Sequence, residues 1–381
     1  MIGWEYPPKN SGGLGVACQG IVEHLIDAGQ ELILVLPHDM SPSVNTVMFT
    51  TPRGNTYPVI FVLAKIKPYT ESLPERYRGN LIDDVYCFSS DVLKAVAKEK
   101  FDVIHVHDWL TLPAGLALKN KFNKPLVVHV HSTEYDRTAG RSTNFDVENI
   151  EMEGFSGADK VVAVSGYTKS ILIDKYRVPE NKIYVVHNGI DYVEEMIPGE
   201  DFLGTAPVIL FVGRLTIQKG PEYFIRLAEQ VISKRPDAIF VIVGDGDMYK
   251  EMIEYSAFRE LSGSVLFAGF LRGVSKQRLF KRANVFVMPS VSEPFGLVAL
   301  EAAVEGVPII ISKTSGVAEV LPSAIKVDFW DTDLAAKKVL EIIGDSSMQK
   351  GIGAAVRTES LLLSWDKAAN ELKSIYKKLQ K

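Results

Sequence analysis

Short apolar runs rich in β-branched residues recur along this chain, and most are followed by a stretch of helical periodicity. The pattern restricts the fold to parallel α/β architectures. Runs at 102–108, 125–132, 160–165 and 182–188 each end in a polar residue and are near-continuously apolar, as strands buried on both faces of a sheet are. Segments 110–120 and 166–176 carry the 3.6-residue period, which supplies the crossover that parallel strands require. A second series has strands at 207–213, 238–244, 264–268, 283–289, 307–312 and 324–327. Its helices fall at 221–235, 248–261, 275–281, 295–305, 316–321 and 333–343. The stretch 191–206 between the two series is acidic, contains Pro and Gly, and lacks periodicity, so it reads as a linker. A length of 381 residues suits two domains, since one domain commonly takes about 150. The expected fold is two doubly wound, Rossmann-like α/β domains facing across a cleft, with boundaries at 1–195 and 196–364.

Composition removes several functional classes. Forty-two basic against 47 acidic residues leave a net charge of −5, so no global field draws the chain to nucleic acid. Two cysteines, Cys18 and Cys87, are too few for a disulfide framework or a four-thiolate zinc site and fit a reducing, cytoplasmic setting. The first residues lack a basic and an apolar region, so they do not read as a signal peptide. No apolar run approaches the roughly 20 residues of a membrane span. Only Met1 to Trp4 precede the first glycine loop, where a whole strand is expected; a few further residues before Met1 would complete it.

Several constellations carry chemistry. Gly12, Gly13 and Gly15 lead into a helix, where main-chain N–H groups can approach an anion at the positive end. Cys18 stands where a dinucleotide fingerprint needs glycine, and no GxxxxGK[ST] run exists, so dinucleotide and P-loop readings weaken. His105, His107 and Asp108 end one strand, and His129 and His131 end another, at the edge where open α/β sheets gather ligands. A zinc cluster is disfavoured because no HExxH or carboxylate-rich companion motif follows; His105 and His129 read as core, His131 and Asp108 as functional.

In the second series, Gly213-Arg214-Leu215-Thr216-Ile217-Gln218-Lys219-Gly220 sets two cations just after a buried strand, a guanidinium fork and a point charge suited to a diphosphate. The stretch from Glu293 to Glu301 is the most specific. Pro294 holds Glu293 extended, the N–H groups of Phe295, Gly296 and Leu297 open a helix, and Glu301 interrupts an Ala- and Leu-rich segment where it can accept from a ribose diol. Asp245-Gly246-Asp247 and Asp331-Thr332-Asp333 spell the DxD of metal-dependent nucleotide-sugar enzymes. They read instead as a tight turn and a helix cap.

Together these residues resemble the retaining GT-B glycosyltransferases of glycosyltransferase family 4 and the related glycogen and starch synthases. The markers are Gly12 to Gly15 (GGLG), His105 to Trp109 (HVHDW), His131 to Glu134 (HSTE), His187 to Asp191 (HNGID), Gly213 to Gly220 (GRLTIQKG), Gly244-Asp245-Gly246 and the Glu293 to Glu301 stretch. The resemblance implies that Arg214 and Lys219 hold the donor diphosphate, with Glu301 on the ribose and Glu293 on the transferred sugar. It further implies that the Phe295 to Leu297 amides meet the sugar-phosphate, that His131 bonds the donor sugar, and that the Gly12-Gly13 loop closes over the phosphates with Gly213 and Gly244 beside the nucleotide. Segment 365–381 would cross back to the first domain. Lys9 lies three residues before Gly12, where glycogen synthases have a lysine two before, so its acceptor or donor role departs from the pattern; Asp108 is the other acceptor-side candidate. The implied reaction uses a UDP- or ADP-sugar donor, needs no metal or other cofactor, and has a carbohydrate acceptor as partner. Trp4 to Pro8 with His131 to Glu134 looks more like archaeal or bacterial glycogen synthase-type enzymes than lipid-directed mannosyltransferases, which makes glucosyl transfer to an α-glucan the leading specificity. The rivals are a small sugar, glycoside or lipid-linked glycan as acceptor and, in another class, a non-catalytic sugar-binding protein.

Overall fold

The computed structural model describes residues 1–8, 12–38, 44–64, 81–191 and 204–379. Lys9 and most of the expected linker lie outside the described residues. The chain divides into two compact units: one holds residues 1–135, 140–189 and the segment from Ser364 on, the other 136–139 and 190–363.

The first unit runs α1 (Gly13–Asp27), β1 (Leu34–His38), β2 (Val44–Thr50), β3 (Thr56–Leu63), α2 (Leu81–Ala95), β4 (Ile104–His107), α3 (Leu112–Phe122) and β5 (Leu126–Val130). Short α4 (Glu134–Arg137), α5 (Phe145–Gly157), β6 (Lys160–Ala163), α6 (Gly166–Asp174) and β7 (Ile183–Val185) follow. Strands β4, β5, β6 and β7 lie side by side in parallel, as their apolar runs require. A second group, ordered β1-β3-β2, has no counterpart in the strand pattern read from the sequence, and its β2–β3 pair is antiparallel. The first residues join the groups: Ile2 bridges Val35 of β1 on one side and Val106 of β4 on the other, both in parallel. The short N-terminal stretch therefore sits where the winding reverses. Helix α6 starts where Ser165 Oγ accepts from the Thr168 N–H at 3.0 Å, an N-cap that satisfies one of the first-turn donors.

The second unit runs β8 (Val208–Val212), α7 (Pro221–Ile232), β9 (Ile239–Val243), α8 (Tyr249–Phe258), β10 (Val265–Gly269), α9 (Gly273–Arg282), β11 (Val285–Met288), α10 (Leu297–Val304), β12 (Ile309–Ser312), β13 (Ile325–Val327), α11 (Thr332–Gly344) and α12 (Ser346–Ser360). The stretch expected as a helix at 316–321 is a single 3₁₀ turn, Gly316–Glu319, too short to continue as an α-helix. Its six strands are ordered β10-β9-β8-β11-β12-β13, and every pair is parallel. From β8 the chain winds through β9 and β10 to one edge, then returns to β11 and winds through β12 and β13 to the other. The reversal falls between β8 and β11, and in open sheets ligands bind outside the carboxyl ends of the strands at that point. Buried Phe224, Ile225, Leu227, Ala228 and Val231 form one face of α7, and each large apolar side chain so buried contributes ~1.5–3 kcal/mol.

The last helix, α13 (Trp365–Leu379), belongs to the first unit and packs on α1. The packing is close: a Cβ on Gly20 would lie 2.3 Å from the Trp365 ring, and one on Gly189 2.2 Å from the Trp365 nitrogen. Arg53 fastens the start of α13 through two hydrogen bonds to Asp366, at 2.9 and 2.8 Å.

Candidate active site

In the second unit the two motifs that follow β8 and β11 come together at the winding reversal. The loop after β8 is shaped by its neighbours: Gly213 N–H donates to Val243 O and Leu215 N–H to Asp245 O, both at 2.9 Å. Gly244 follows β9 with φ +142°, and a Cβ there would stand 1.8 Å from the Gly213 carbonyl oxygen. Gly244, expected beside the nucleotide, is thus required by packing against the Arg214 loop. A Cβ on Gly213 would meet nothing closer than 3.7 Å, so packing leaves that position open. Asp245 Oδ1 accepts from the Gly246 N–H at 2.7 Å and Asp331 Oδ1 from the Leu334 N–H at 3.0 Å, the turn and cap roles expected for both DxD stretches.

Lys219 and Glu293 meet across this reversal, Nζ to Oε2 at 2.6 Å. The carboxylate side chain is only 6% exposed and the ammonium side chain 23%, so the pair lies in a poorly solvated setting where charge–charge energies rise. Ser290 Oγ, 3.3 Å from the same Oε2, donates a second bond. The backbone around Glu293 is fixed by a parallel bridge to Ser315, with Glu293 N–H donating to Thr314 O and Gly316 N–H to Glu293 O. Arg214 is half-buried in the loop directly after β8.

Helix α10 begins beside this pair. Its N-cap is Gly296 at φ +111°, a left-handed conformation that glycine adopts without a Cβ penalty, and no side chain caps the first turn. The first N–H groups of a helix have no intrahelical acceptor, and the aligned dipoles favour an anion there. Phe295 is buried just ahead of them. Glu301 lies within α10, where both of its oxygens are 2.8 Å from Lys276 Nζ of α9. The carboxylate is therefore partly exposed and already paired, and its remaining lone pairs are what it offers a diol. Lys276 has no signal in the sequence, because it pairs with Glu301 through tertiary packing of α9 and α10 and no motif flags it.

The first unit carries the remaining candidates. Gly12 is the N-cap of α1 in extended conformation, where a Cβ would meet nothing within 4 Å, and Gly13 is exposed at the first helical residue. Asp108 adopts φ +57° and aims Oδ1 at the main chain after β5, accepting from His131 N–H at 2.7 Å and Ser132 N–H at 3.3 Å. It therefore acts by holding the His131 loop. His131 Nε2 is 2.9 Å from His107 Nδ1, and burial lowers the His131 imidazole to about 3, so the ring is neutral and bonds as donor and acceptor. Burial and the neighbouring imidazoles hold His105, His107 and His129 well below their ordinary range too. Among the described residues, no helix is long and apolar enough to cross a membrane.

The chain as a whole is similar to known proteins. The family description "Glycosyltransferase Family 4" matches residues 11–194 and "Glycosyl transferases group 1" matches 193–359. An uncharacterised glycosyltransferase of Methanocaldococcus jannaschii is 31% identical, with 99% of this chain and 97% of that one covered. Glycogen synthase of Mycobacterium tuberculosis is 25% identical over 99% of this chain and 93% of its own. In three dimensions, sucrose-phosphate synthase from Thermosynechococcus elongatus matches with a TM-score of 0.81 at 22% identity, covering 99% of this chain and 95% of that one. The catalytic domain of starch synthase IV from Arabidopsis thaliana matches at 0.75 and 16%, covering 100% and 98%. The chain belongs to the group 1 glycosyltransferases and has their GT-B fold.

Proposed function

We propose that this glycosyltransferase moves glucose from a nucleotide diphosphate glucose to the growing end of an α-glucan, with retention of anomeric configuration. The observation that carries the reading is the Lys219–Glu293 pair, 2.6 Å apart beside the uncapped start of α10. Glycosyl transfer lengthens the bond from C1 to the phosphate oxygen, leaving negative charge on the departing diphosphate and positive character on the sugar. A cation, a guanidinium and a helix N-terminus stabilise the first of these charges as it develops. A buried carboxylate suits the second part of the ligand, accepting from sugar hydroxyls. In the donor-free state Lys219 and Glu293 neutralise each other; with donor present the ammonium turns to phosphate while Glu293 gains hydroxyl donors, so neither charge is left unpaired. The Glu301 carboxylate, steadied by Lys276, takes the ribose diol. No group among these needs a metal ion to neutralise the diphosphate.

The α-glucan is chosen as acceptor because the glycogen synthase of M. tuberculosis aligns with nearly the whole chain. A second acceptor class has its own support: D-inositol 3-phosphate glycosyltransferase of Salinispora arenicola is also 25% identical, over 82% of this chain. The test is nucleotide release from UDP-glucose and ADP-glucose, each alone, with glycogen or maltooligosaccharide, and with inositol phosphate. Stimulation by the glucans supports the proposal. Stimulation by inositol phosphate alone rejects the acceptor, and silence with every donor and acceptor rejects the reaction.

A further inference from the structure

The first unit contains a stack of histidines, three of which have no assigned contact with donor or acceptor. His105 and His107 alternate along β4 and His129 lies opposite His107 on β5, so one sheet face carries three imidazoles side by side. The rings are near-parallel: His105 and His129 have centroids 5.4 Å apart at 3°, and His105 and His107 are 4.6 Å apart at 20°. All three residues are at most 3% exposed. Yet His105 Nε2, His107 Nε2 and both ring nitrogens of His129 have no hydrogen-bond partner among the described residues. A buried polar atom left so costs ~1–3 kcal/mol, which makes four in one place a feature that asks for a ligand.

The other nitrogens indicate which ligand. His105 Nδ1 is 2.5 Å from Tyr376 Oη, and His107 Nδ1 is 2.9 Å from His131 Nε2. With the N–H of each ring placed on Nδ1 and used in those bonds, the Nε2 atoms of both rings are bare lone pairs. Metal-binding histidines are commonly fixed in this way, one nitrogen hydrogen-bonded and the other turned to the ion. One ligand nitrogen from each of His105, His107 and His129 lies within 4.8 Å of the others, and an ion held at ~2.0–2.1 Å from each would require the stacked rings to turn toward a common centre. Cys18 with His107 and His131 spans the same distance, but there His107 Nδ1 and His131 Nε2 already satisfy each other. The triad is the set with unused valence.

We propose that His105, His107 and His129 form a buried site for one transition-metal cation of the zinc class, with Tyr376 as the positioning residue that sets the His105 tautomer. Imidazole ligands without carboxylates select zinc-like ions over magnesium or calcium. The ion would not touch the donor sugar, and its side-chain link to that site is the His107–His131 hydrogen bond.

The test uses the untagged full-length chain stripped with a chelator, then dialysed against Zn²⁺ alone. The expected result is one tightly held ion per chain, with affinity at least 100-fold lower in a His105→Leu/His129→Leu double variant. Tyr376→Phe keeps the ring in place and removes only the hydroxyl, so it should weaken Zn²⁺ binding ~10-fold, the scale of a lost outer-shell partner. Co²⁺ loaded into the wild-type chain should give the strong visible absorption of a four-coordinate site made of the three imidazoles and one water; this measurement requires no variant to fold. Absence of Zn²⁺ binding, equal binding by the double variant, or the weak spectrum of six-coordinate Co²⁺ would each overturn the proposal and leave water as the occupant.

Discussion

Replacing Lys219 by alanine separates two roles of one ammonium. In the donor-free protein Lys219 is the charged partner of Glu293, whose side chain is 6% exposed and which otherwise has, among the described residues, only the Ser290 hydroxyl at 3.3 Å. Removing the ammonium strands that carboxylate, at a cost of about 1–3 kcal/mol or somewhat more for a charged group. For a unit of this size each kcal/mol lowers Tm by about 2–4 °C, so a drop of about 2–12 °C is expected. In the proposed reaction the same change would remove a cation from the departing phosphate, worth about 3 kcal/mol, or roughly a hundredfold in kcat. The stability effect is relieved in the double variant Lys219→Ala/Glu293→Gln, where no stranded charge remains: Tm should recover, while turnover, which also loses the Glu293 contact with the sugar, should not. The assay is nucleotide release at saturating donor, alongside thermal unfolding. Turnover within threefold of wild type in Lys219→Ala, or recovery of both quantities in the double variant, would refute a phosphate role and reduce Lys219 to a counter-ion.

Other expectations follow from single contacts. Lys276→Ala frees Glu301, which should raise donor KM about tenfold, the scale of ~1.4 kcal/mol, and leave kcat near wild type; an unchanged KM counts against the ribose assignment. Gly244→Ala forces a Cβ against the Gly213 carbonyl and should destabilise by about 2 kcal/mol or more while lowering kcat, seen by denaturant unfolding and steady-state kinetics. Asp108→Ala leaves the His131 and Ser132 amides without their acceptor; a loss of about 1–3 kcal/mol with reduced turnover is expected, and unaltered unfolding would show that Asp108 does not hold that loop.

The second unit is largely legible in the amino-acid sequence because its strands are continuous apolar runs between glycine-marked loops. Runs at 207–213 and 238–244 contain the strands Val208–Val212 and Ile239–Val243. The opening of the first unit is less so. Pro37 and Pro58 interrupt the patterns of β1 and β3, and β2 is an exposed strand with Met48 58% exposed, so neither alternation nor an apolar run marks the group. Its order depends on pairing between segments far apart in the chain, which periodicity does not encode. Helices α5 and α12 escape the sequence reading because glycine and polar residues blur their faces. At the site, motif spacing locates Arg214, Lys219, Glu293 and Glu301. The Glu301–Lys276 and Asp108–His131 partnerships depend on tertiary geometry, as does the packing need at Gly244.

The docking of α13 on α1 has a consequence for biosynthesis. Residues 1–135, 140–189 and the segment from Ser364 belong to one compact unit, so the segments synthesised before residue 190 lack part of their packing until the segment from Ser364 has emerged. At ~5–20 residues per second the intervening stretch occupies the ribosome for on the order of ten seconds or more. During that interval the seat of Trp365 at Gly20 and Gly189 is uncovered on the nascent chain. A stop before Ser364 would therefore leave Gly20 and Gly189 without the ring and main chain of Trp365 that they are shaped to meet.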